Sequence, residues 1–383
     1  MNEDDSIITY SDLKADRIKR RDIPKCKKRN YDMHKSLGIT AAKQLVIMKL
    51  MDEGLSESDA KKVSEGYDVH VAILNTGIDE CHPDIAGALS AERGINFVNW
   101  KCGGTRKKCK PLHTLYNPNN ISCEGYHGIS VAGIIASNQF GIIKESNFQI
   151  VRVCDENGHG SRRTIAQGFE HVGQHRNLID LVNMSIGLNY IDTPKEVSDE
   201  LEDICADICK YMILVAAVGH DDFGPSIPST FDTVLGVGAT CRTSTDPDYY
   251  TWWESSSMGN GVDIVAPGVD ILGLDSKQKK ESNYKLAYAR MTGTSAATPI
   301  ITGILGIGIA LVKKRNELFG ISEPVDYAHL QRLVKETASL DRIILPEIYS
   351  SKDDACTKRS VAGAGRVNAY EFTKRVIEEY FNT

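Results

Sequence analysis

The feature of this sequence that most constrains its fold is a series of short, mainly apolar segments rich in β-branched residues. They alternate with helical stretches between residues 69 and 239. Apolar runs of this length are typical of strands buried on both faces of a parallel sheet, and strands that alternate with helices predict an α/β fold. The predicted strands are residues 69–74, 148–153, 178–184, 212–218 and 233–239, and the predicted helices are residues 130–137, 163–171 and 193–210.

Charge and hydrophobicity limit the partners that this chain is expected to have. Its 383 residues include 45 basic and 51 acidic side chains and 41% hydrophobic residues, which is typical of a folded globular protein and excludes a collagen-like or disordered chain. A net charge of −6 does not favour nucleic acid as a partner. The longest apolar run, residues 300–312, is shorter than the roughly 20 residues that cross a bilayer, so it predicts a buried helix and no membrane span.

The first 30 residues are polar and unevenly charged, with nine bases between residues 14 and 29. This pattern predicts a solvated arm, and a processing site at the basic clusters 19–21 or 27–29 is the alternative. No stretch in this arm has the apolar region of a secretory signal.

Two helices are predicted to follow the arm. Apolar residues recur at helical spacing between residues 39 and 51, and Ser56 with Asp59 three residues later is typical of a helix start. We therefore expect residues 1–66 to form an N-terminal arm with helices and residues 67–383 to form one domain.

Three of the ten cysteines, Cys102, Cys109 and Cys123, lie close together in a polar stretch. A disulfide-tied loop and free thiols are both compatible with this clustering, and the spacing does not match a structural zinc site. Asn120 begins a glycosylation sequon in the same stretch, which matters only for a secreted chain.

Three polar segments follow predicted strands or begin predicted helices. Asn75-Thr76-Gly77 ends the first strand, His127-Gly128 begins a helix, and Ser295 precedes the long apolar run. Each has a plain structural explanation in isolation, since a turn residue, a satisfied histidine or a helix cap would suffice. Because ligands of parallel sheets bind at the carboxyl ends of the strands, we expect functional residues just after the apolar runs or at the start of the next helix.

Taken in order, these segments resemble the subtilisin-like serine proteases, the subtilases. In that family a strand ends in Asp-Thr/Ser-Gly, a helix opens with His-Gly-Thr-His-Val-Ala-Gly, and a later helix opens with Gly-Thr-Ser-Met-Ala. The resemblance runs from about residue 69 to residue 374 and includes framework segments at 183–187, 215–219, 264–268 and 364–368. It implies a subtilisin-like three-layer α/β fold and a serine endopeptidase that acts on peptides or proteins.

The resemblance implies that Ser295 is the nucleophile and His127 the general base. The position of the family's triad aspartate holds Asn75. A neutral amide cannot balance the charge of an imidazolium, and through its NH2 group it tolerates the unproductive histidine tautomer. Replacing the aspartate by asparagine in a trypsin-type triad costs roughly 10⁴-fold in rate. Rescue by Asp79, four residues on, is an alternative.

His220 stands where the family usually has an asparagine that donates to the oxyanion. We expect the neighbouring Asp221 and Asp222 to keep this histidine protonated, which would favour donation. Ile129 and Ser130 replace the family's threonine and second histidine, and we interpret that change as packing.

The resemblance also implies a cleft that binds peptide. An extended edge at residues 155–160 would pair with the substrate backbone opposite a wall at residues 185–187, and residues 217–219 would line the pocket for the residue before the scissile bond. The residues that would contact substrate are Gly158, Gly160, Ser185, Gly187 and Gly219. Glycines that only form turns are the alternative.

No cofactor is expected, although Asp84 matches a calcium ligand of some subtilases. The segment that would complete such a site, residues 137–141, has no acid. The family resemblance implies a secreted or endomembrane protein, but we expect no signal peptide in residues 1–29 and no full prodomain before residue 69. Two functions remain open at this point: an attenuated peptidase, and a pseudoprotease that binds peptides or proteins.

Overall fold

The computed structural model describes residues 32–98, 100–102, 109–111, 120–121, 126–189, 192–220, 224–243, 250–276, 288–341, 343–344 and 355–382. The basic clusters in the N-terminal arm, Cys123 and the acidic pair Asp221 and Asp222 lie outside the described residues.

The central sheet has nine strands in the order β13-β9-β8-β7-β6-β1-β5-β2, with β10 paired to β8. All pairings in this sheet are parallel except that between β8 and β9. Two antiparallel hairpins, β3-β4 and β11-β12, lie outside it. The strands are β1 (His70–Asn75), β2 (Leu89–Asn96), β3 (Trp100–Cys102), β4 (Cys109–Pro111), β5 (Asn147–Arg152), β6 (Leu181–Met184), β7 (Ile213–Ala217), β8 (Val234–Arg242), β9 (Tyr250–Trp252), β10 (Ile264–Pro267), β11 (Ile271–Leu274), β12 (Tyr288–Met291) and β13 (Ile343–Ile344).

Helices cover both faces of the sheet. They are α1 (Met33–Ser36), α2 (Ile39–Asp52), α3 (Glu57–Ser64), α4 (His127–Ala136), α5 (Arg162–Gln174), α6 (Lys195–Ile208), α7 (Thr294–Phe319), α8 (Tyr327–Glu336), α9 (Ala355–Ala362) and α10 (Ala369–Phe381). Alternate residues of β1 show the two faces: Val71 and Ile73 belong to the apolar cluster that includes α4 and α7, while Ala72 and Leu74 belong to the cluster that includes α5 and α6. The prediction of an α/β fold with a mostly parallel sheet is confirmed.

Helix α7 is buried from its first residue to Val312. By length and composition it could cross a membrane, but its whole apolar window is buried in the protein, as in the core helix of a folded domain. The prediction of a buried helix at residues 300–312 is confirmed.

The N-terminal helices pack onto the same core as the sheet. Ile39, Ala42, Val46 and Leu50 of α2 are fully buried within the cluster that contains α7 and α10. Ser56 caps α3 by accepting the backbone N–H of Asp59, as its spacing predicts. The domain boundary between residues 66 and 67 falls between α3 and β1 and stays a prediction.

The cysteines that the structure describes fall into two groups. Cys81, Cys154, Cys205 and Cys209 are not in disulfides, and Cys241 is part of a disulfide. Cys102 lies opposite Cys109 in the β3-β4 hairpin, but their side chains are outside the described part of the chain.

Candidate active site

Strand β1 ends at the carboxyl edge of the sheet with Asn75, which is fully buried. The Oδ1 atom of Asn75 accepts a hydrogen bond from the backbone N–H of Thr76 at 2.8 Å. The same oxygen lies 2.8 Å from Nδ1 of His127. The structure therefore brings the first two predicted site residues into direct contact.

The Thr76 amide fixes the orientation of the Asn75 side chain. A backbone N–H can only donate, so the atom that faces it must be the amide oxygen and not the NH2 group. That oxygen also faces His127, so Nδ1 of the ring carries the hydrogen and Nε2 keeps the lone pair. The expectation that the amide tolerates the unproductive tautomer is therefore wrong, because the backbone holds the amide in the productive orientation.

Helix α4 begins at His127, and its first turn packs directly on the turn after β1. The N–H of Gly128 donates to Oγ1 of Thr76 at 3.2 Å. A Cβ atom on Gly128 would lie 2.1 Å from the carbonyl oxygen of Gly77, a distance that backbone atoms cannot accommodate. Gly128 is therefore required for the close approach that brings His127 to Asn75.

The electrostatic surroundings of His127 disfavour its charged form. Burial lowers the pKa of His127 to about 4, and repulsion from His220 adds to the effect. The ring is therefore neutral at pH 7 and able to accept a proton. The carboxylate of Asp79 lies in the turn after β1, where it accepts the backbone N–H of Cys81, while Nδ1 of His127 contacts Asn75.

Ser295 lies in the first turn of α7 with 2% of its surface exposed. Its hydroxyl donates to the carbonyl oxygen of Ser185 at 3.3 Å, and the Ser185 hydroxyl donates to the carbonyl oxygen of Ser295 at 3.0 Å. Pro299 explains the second contact. Proline has no N–H, so the carbonyl four residues before it lacks a donor within the helix, and the Ser185 hydroxyl supplies one.

Two further polar residues hold Ser185 in place. Nδ2 of Asn183 donates to the Ser185 hydroxyl at 3.1 Å, and the Thr302 hydroxyl donates to Oδ1 of Asn183 at 2.9 Å. Sequence reasoning assigned no role to either residue. The available signal was an asparagine within the wholly buried strand β6 and a threonine on the buried part of α7, because buried polar groups usually have hydrogen-bond partners.

His220 lies beside the start of α7, but its protonation differs from the expectation. Its Nε2 accepts the backbone N–H of Thr294 at 3.1 Å, and burial lowers its pKa to about 4. Its ring packs edge-on against Trp253 at 5.0 Å between centroids. The expected protonated donor is therefore wrong: the ring is neutral, and Nε2 is an acceptor with no hydrogen to give to an oxyanion.

The predicted substrate edge is only partly extended. Cys154 and Gly160 form an antiparallel bridge, and the residues between them form a turn with Gly158 at φ +82°. The carboxylate of Asp155 causes this turn, because it accepts the backbone N–H groups of Asn157 and His159. The expectation of an extended segment across residues 155–160 is therefore wrong within the turn.

The two opposite walls of the predicted cleft, at Gly187 and Gly219, both lie next to Ser226. A Cβ atom on Gly187 would lie 2.7 Å from Cβ of Ser226, and one on Gly219 would lie 2.2 Å from Oγ of Ser226. Ser185 lies on the same wall as Gly187 and contacts Ser295, which places this cleft next to the serine hydroxyl.

Asp84 does not fit a calcium site. Its Oδ1 accepts the backbone N–H of Gln139 at 3.1 Å and its Oδ2 accepts the hydroxyl of Tyr288 at 3.4 Å. Calcium needs six to eight oxygen ligands, whereas both carboxylate oxygens here face hydrogen donors. Within the described ranges, no group of three or more His, Cys, Asp or Glu side chains is placed to hold a metal.

Comparisons with known proteins give a family for this chain. A model described as the Subtilase family matches residues 66–368. The intracellular serine protease of Paenibacillus polymyxa is 28% identical over 72% of this chain and 76% of its own length. The major intracellular serine protease of Bacillus subtilis is 27% identical over 72% of this chain and 78% of its own length. Subtilisin Savinase of Lederbergia lenta is 31% identical over 66% of this chain and 78% of its own length.

Two solved structures share the fold. A lanthipeptide protease superposes with a TM-score of 0.61 at 19% identity, covering 90% of this chain and 96% of its own. The prenylagaramide maturation protease PagA superposes with a TM-score of 0.57 at 22% identity, and the match covers 86% of this chain and 98% of PagA. Because the family model spans most of the chain and includes every predicted site residue, this chain belongs to the subtilase family of serine proteases.

Proposed function

We propose that this chain is an attenuated serine endopeptidase that hydrolyses peptide bonds through an acyl-enzyme on Ser295, with His127 as general base. Nε2 of His127 takes the hydroxyl proton as Oγ of Ser295 attacks the carbonyl carbon of the substrate. The C–N bond then breaks, and the leaving amine receives that proton from His127. Water hydrolyses the resulting ester by the same two proton transfers.

The observation that carries the proposal is the contact between Oδ1 of Asn75 and Nδ1 of His127. It leaves Nε2 of His127 with the lone pair that the first proton transfer needs. In the reaction the Ser295 hydroxyl, which now donates to the Ser185 carbonyl, has to donate to Nε2 instead. The histidine is ready to act as a base without any change of tautomer.

The missing carboxylate supports attenuation. Opposite unit charges about 4 Å apart attract by about 4 kcal/mol at an effective dielectric constant near 20. Since about 1.4 kcal/mol corresponds to a tenfold change in rate, the neutral Asn75 lowers the rate about 10³-fold. This loss is smaller than the roughly 10⁴-fold loss in a trypsin-type triad, because part of that loss comes from the wrong tautomer.

A second candidate, a pseudoprotease that binds peptides or proteins, is favoured by the geometry of His220. Nε2 of His220 accepts a hydrogen bond from Thr294, so it cannot donate to the oxyanion of a tetrahedral intermediate. Removal of a single oxyanion donor costs roughly 10²–10³-fold in rate. The backbone N–H of Ser295, in the first turn of α7, remains as a donor.

Labelling with an alkyl fluorophosphonate distinguishes the two candidates. We expect slow labelling that mass spectrometry locates on Ser295, together with slow hydrolysis of a fluorogenic peptide mixture. Both signals should disappear in Ser295→Ala and in His127→Ala. Labelling without hydrolysis would support the pseudoprotease, and the absence of labelling after prolonged exposure would contradict the peptidase.

A further inference from the structure

A cavity of about 430 Å³ lies at the carboxyl end of α7, between that helix, α8 and α10. Its volume is within the range of small-molecule sites, roughly 300–1,000 Å³. Arg315 lies on its wall, whereas Ser295 lies in the first turn of the same helix. At 1.5 Å per residue the two are about 30 Å apart along α7, so the cavity is separate from the proposed active site.

The lining of this cavity combines apolar and polar side chains, which is typical of a site for a small ligand. The apolar part consists of Val312, Ile321 and Pro324. The charged and hydrogen-bonding side chains around it are Arg315, Asn316, Glu323, Asp326, His329, Glu379 and Tyr380.

Two of these polar side chains, His329 and Glu379, already have partners. The guanidinium of Arg332 can only donate, so Nδ1 of His329 accepts its hydrogen bond. Nε2 of His329 therefore carries the hydrogen and donates to Glu379 at 2.7 Å. The other carboxylate oxygen of Glu379 lies 3.0 Å from Nε of Arg375. Neither His329 nor Glu379 needs a ligand to complete its contacts.

Arg315, Asp326 and Tyr380 differ in this respect. Within the described residues Arg315 forms no ion pair: it contacts Oδ1 of Asn316 at 3.1 Å and lies over the Tyr380 ring at 6.0 Å. Asp326 accepts the backbone N–H of His329 at 2.8 Å and is likewise in no ion pair there. The buried hydroxyl of Tyr380 has no hydrogen-bond partner in the described part of the chain. Because buried hydroxyl groups usually have partners, this hydroxyl marks a place for a ligand atom.

The two unpaired charges both act on the Tyr380 hydroxyl. Burial raises the pKa of Tyr380 to about 12, and Asp326 contributes to the increase while Arg315 opposes it. The hydroxyl is therefore protonated at pH 7 and able to donate. A positive and a negative group, neither of them in an ion pair, thus lie near one donor in the wall of the cavity.

We infer that this cavity binds a free α-amino acid with an apolar side chain. The carboxylate of the ligand would accept from Arg315 and from the Tyr380 hydroxyl, and its ammonium group would donate to Asp326. Its side chain would pack on the apolar part of the lining. An α-amino acid carries both charges on groups attached to one carbon atom, whereas a simple anion or cation would leave Asp326 or Arg315 without a partner. The inference does not depend on the proposed function, because it involves no residue of the active site.

The test is isothermal titration calorimetry of the native chain with three probes. L-leucine carries both charges, N-acetyl-L-leucine lacks the ammonium group, and L-leucinamide lacks the carboxylate. We expect each derivative to bind at least about tenfold more weakly than leucine, because each loses hydrogen bonds to a charged partner. Arg315→Met should weaken leucine binding by a similar factor and remove the preference for leucine over leucinamide. Tyr380→Phe, which removes only the hydroxyl, should also weaken leucine binding.

A second arginine–tyrosine pair provides the matched control. Arg176 lies over the ring of Tyr211 at 4.7 Å, and neither residue lines the cavity. Arg176→Met and Tyr211→Phe should therefore bind leucine as the native chain does. The absence of binding at millimolar leucine, equal affinity for leucine and leucinamide, or unchanged binding in folded Arg315→Met would overturn the inference. Thermal unfolding of each variant checks that it is folded.

Discussion

Replacement of Asn75 by aspartate should raise the rate of peptide hydrolysis about 10³-fold. One carboxylate oxygen would keep the hydrogen bonds from Thr76 and His127 that Oδ1 accepts now. The other would replace Nδ2, a buried atom with no hydrogen-bond partner in the described part of the chain. The substitution therefore adds a charge without removing a contact, and about 4 kcal/mol of attraction to the imidazolium becomes available in the transition state.

The same variant should change the pH dependence of hydrolysis. The base must be neutral, and the pKa of His127 is lowered to about 4, so the native chain should lose activity only as the pH falls toward that value. A carboxylate at residue 75 favours the charged imidazole and raises this pKa. The acid limb of the pH profile should therefore move to higher pH in Asn75→Asp.

The assay is kcat/KM for a fluorogenic peptide between pH 4 and 9, with the concentration of active sites measured by fluorophosphonate titration. Asn96→Asp is the matched control, because Asn96 is a buried residue that also ends a strand, two positions away in the sheet. We expect no gain in that variant. An unchanged rate in folded Asn75→Asp, or a gain as large in Asn96→Asp, would refute the electrostatic reasoning.

Two further predictions concern Ser185 and the buried histidines. Ser185→Ala leaves the Ser295 carbonyl without a donor because Pro299 has no N–H, so we expect the free energy of unfolding in urea to fall by about 1–3 kcal/mol. In the Pro299→Ala background the loss should be smaller, because the alanine would supply the missing N–H. Equal losses in both backgrounds would contradict this pairing. The pKa values of His127, His171 and His220 are each lowered to about 4 in the folded chain. Because these histidines bind protons at higher pH when the chain is unfolded, the free energy of unfolding should fall as the pH drops from about 6.5 to about 4. A constant free energy of unfolding over this range would contradict these pKa values.

Much of the fold is predictable from the sequence because its local and global signals agree. The apolar run that ends at Asn75 becomes β1, and the helix that begins at His127 becomes α4. The sheet rule placed both residues at one edge of the sheet, because functional residues follow the strands or begin the next helix. Their direct contact was predicted by the resemblance to the subtilases.

The details of the site depend on single hydrogen bonds that no sequence pattern encodes. The orientation of the Asn75 amide follows from the Thr76 N–H, and the acceptor role of His220 follows from the point at which α7 begins. The acidic neighbours in the sequence, Asp221 and Asp222, predicted a protonated His220, but burial lowers its pKa to about 4.

The protonation of the His127 ring tests the account most directly, and nitrogen-15 NMR of labelled histidine measures it. We expect a neutral ring at pH 7 with the hydrogen on Nδ1, which takes up a second proton only as the pH approaches about 4. A ring with its hydrogen on Nε2, or a charged ring at pH 7, would contradict the geometry on which the proposed mechanism depends.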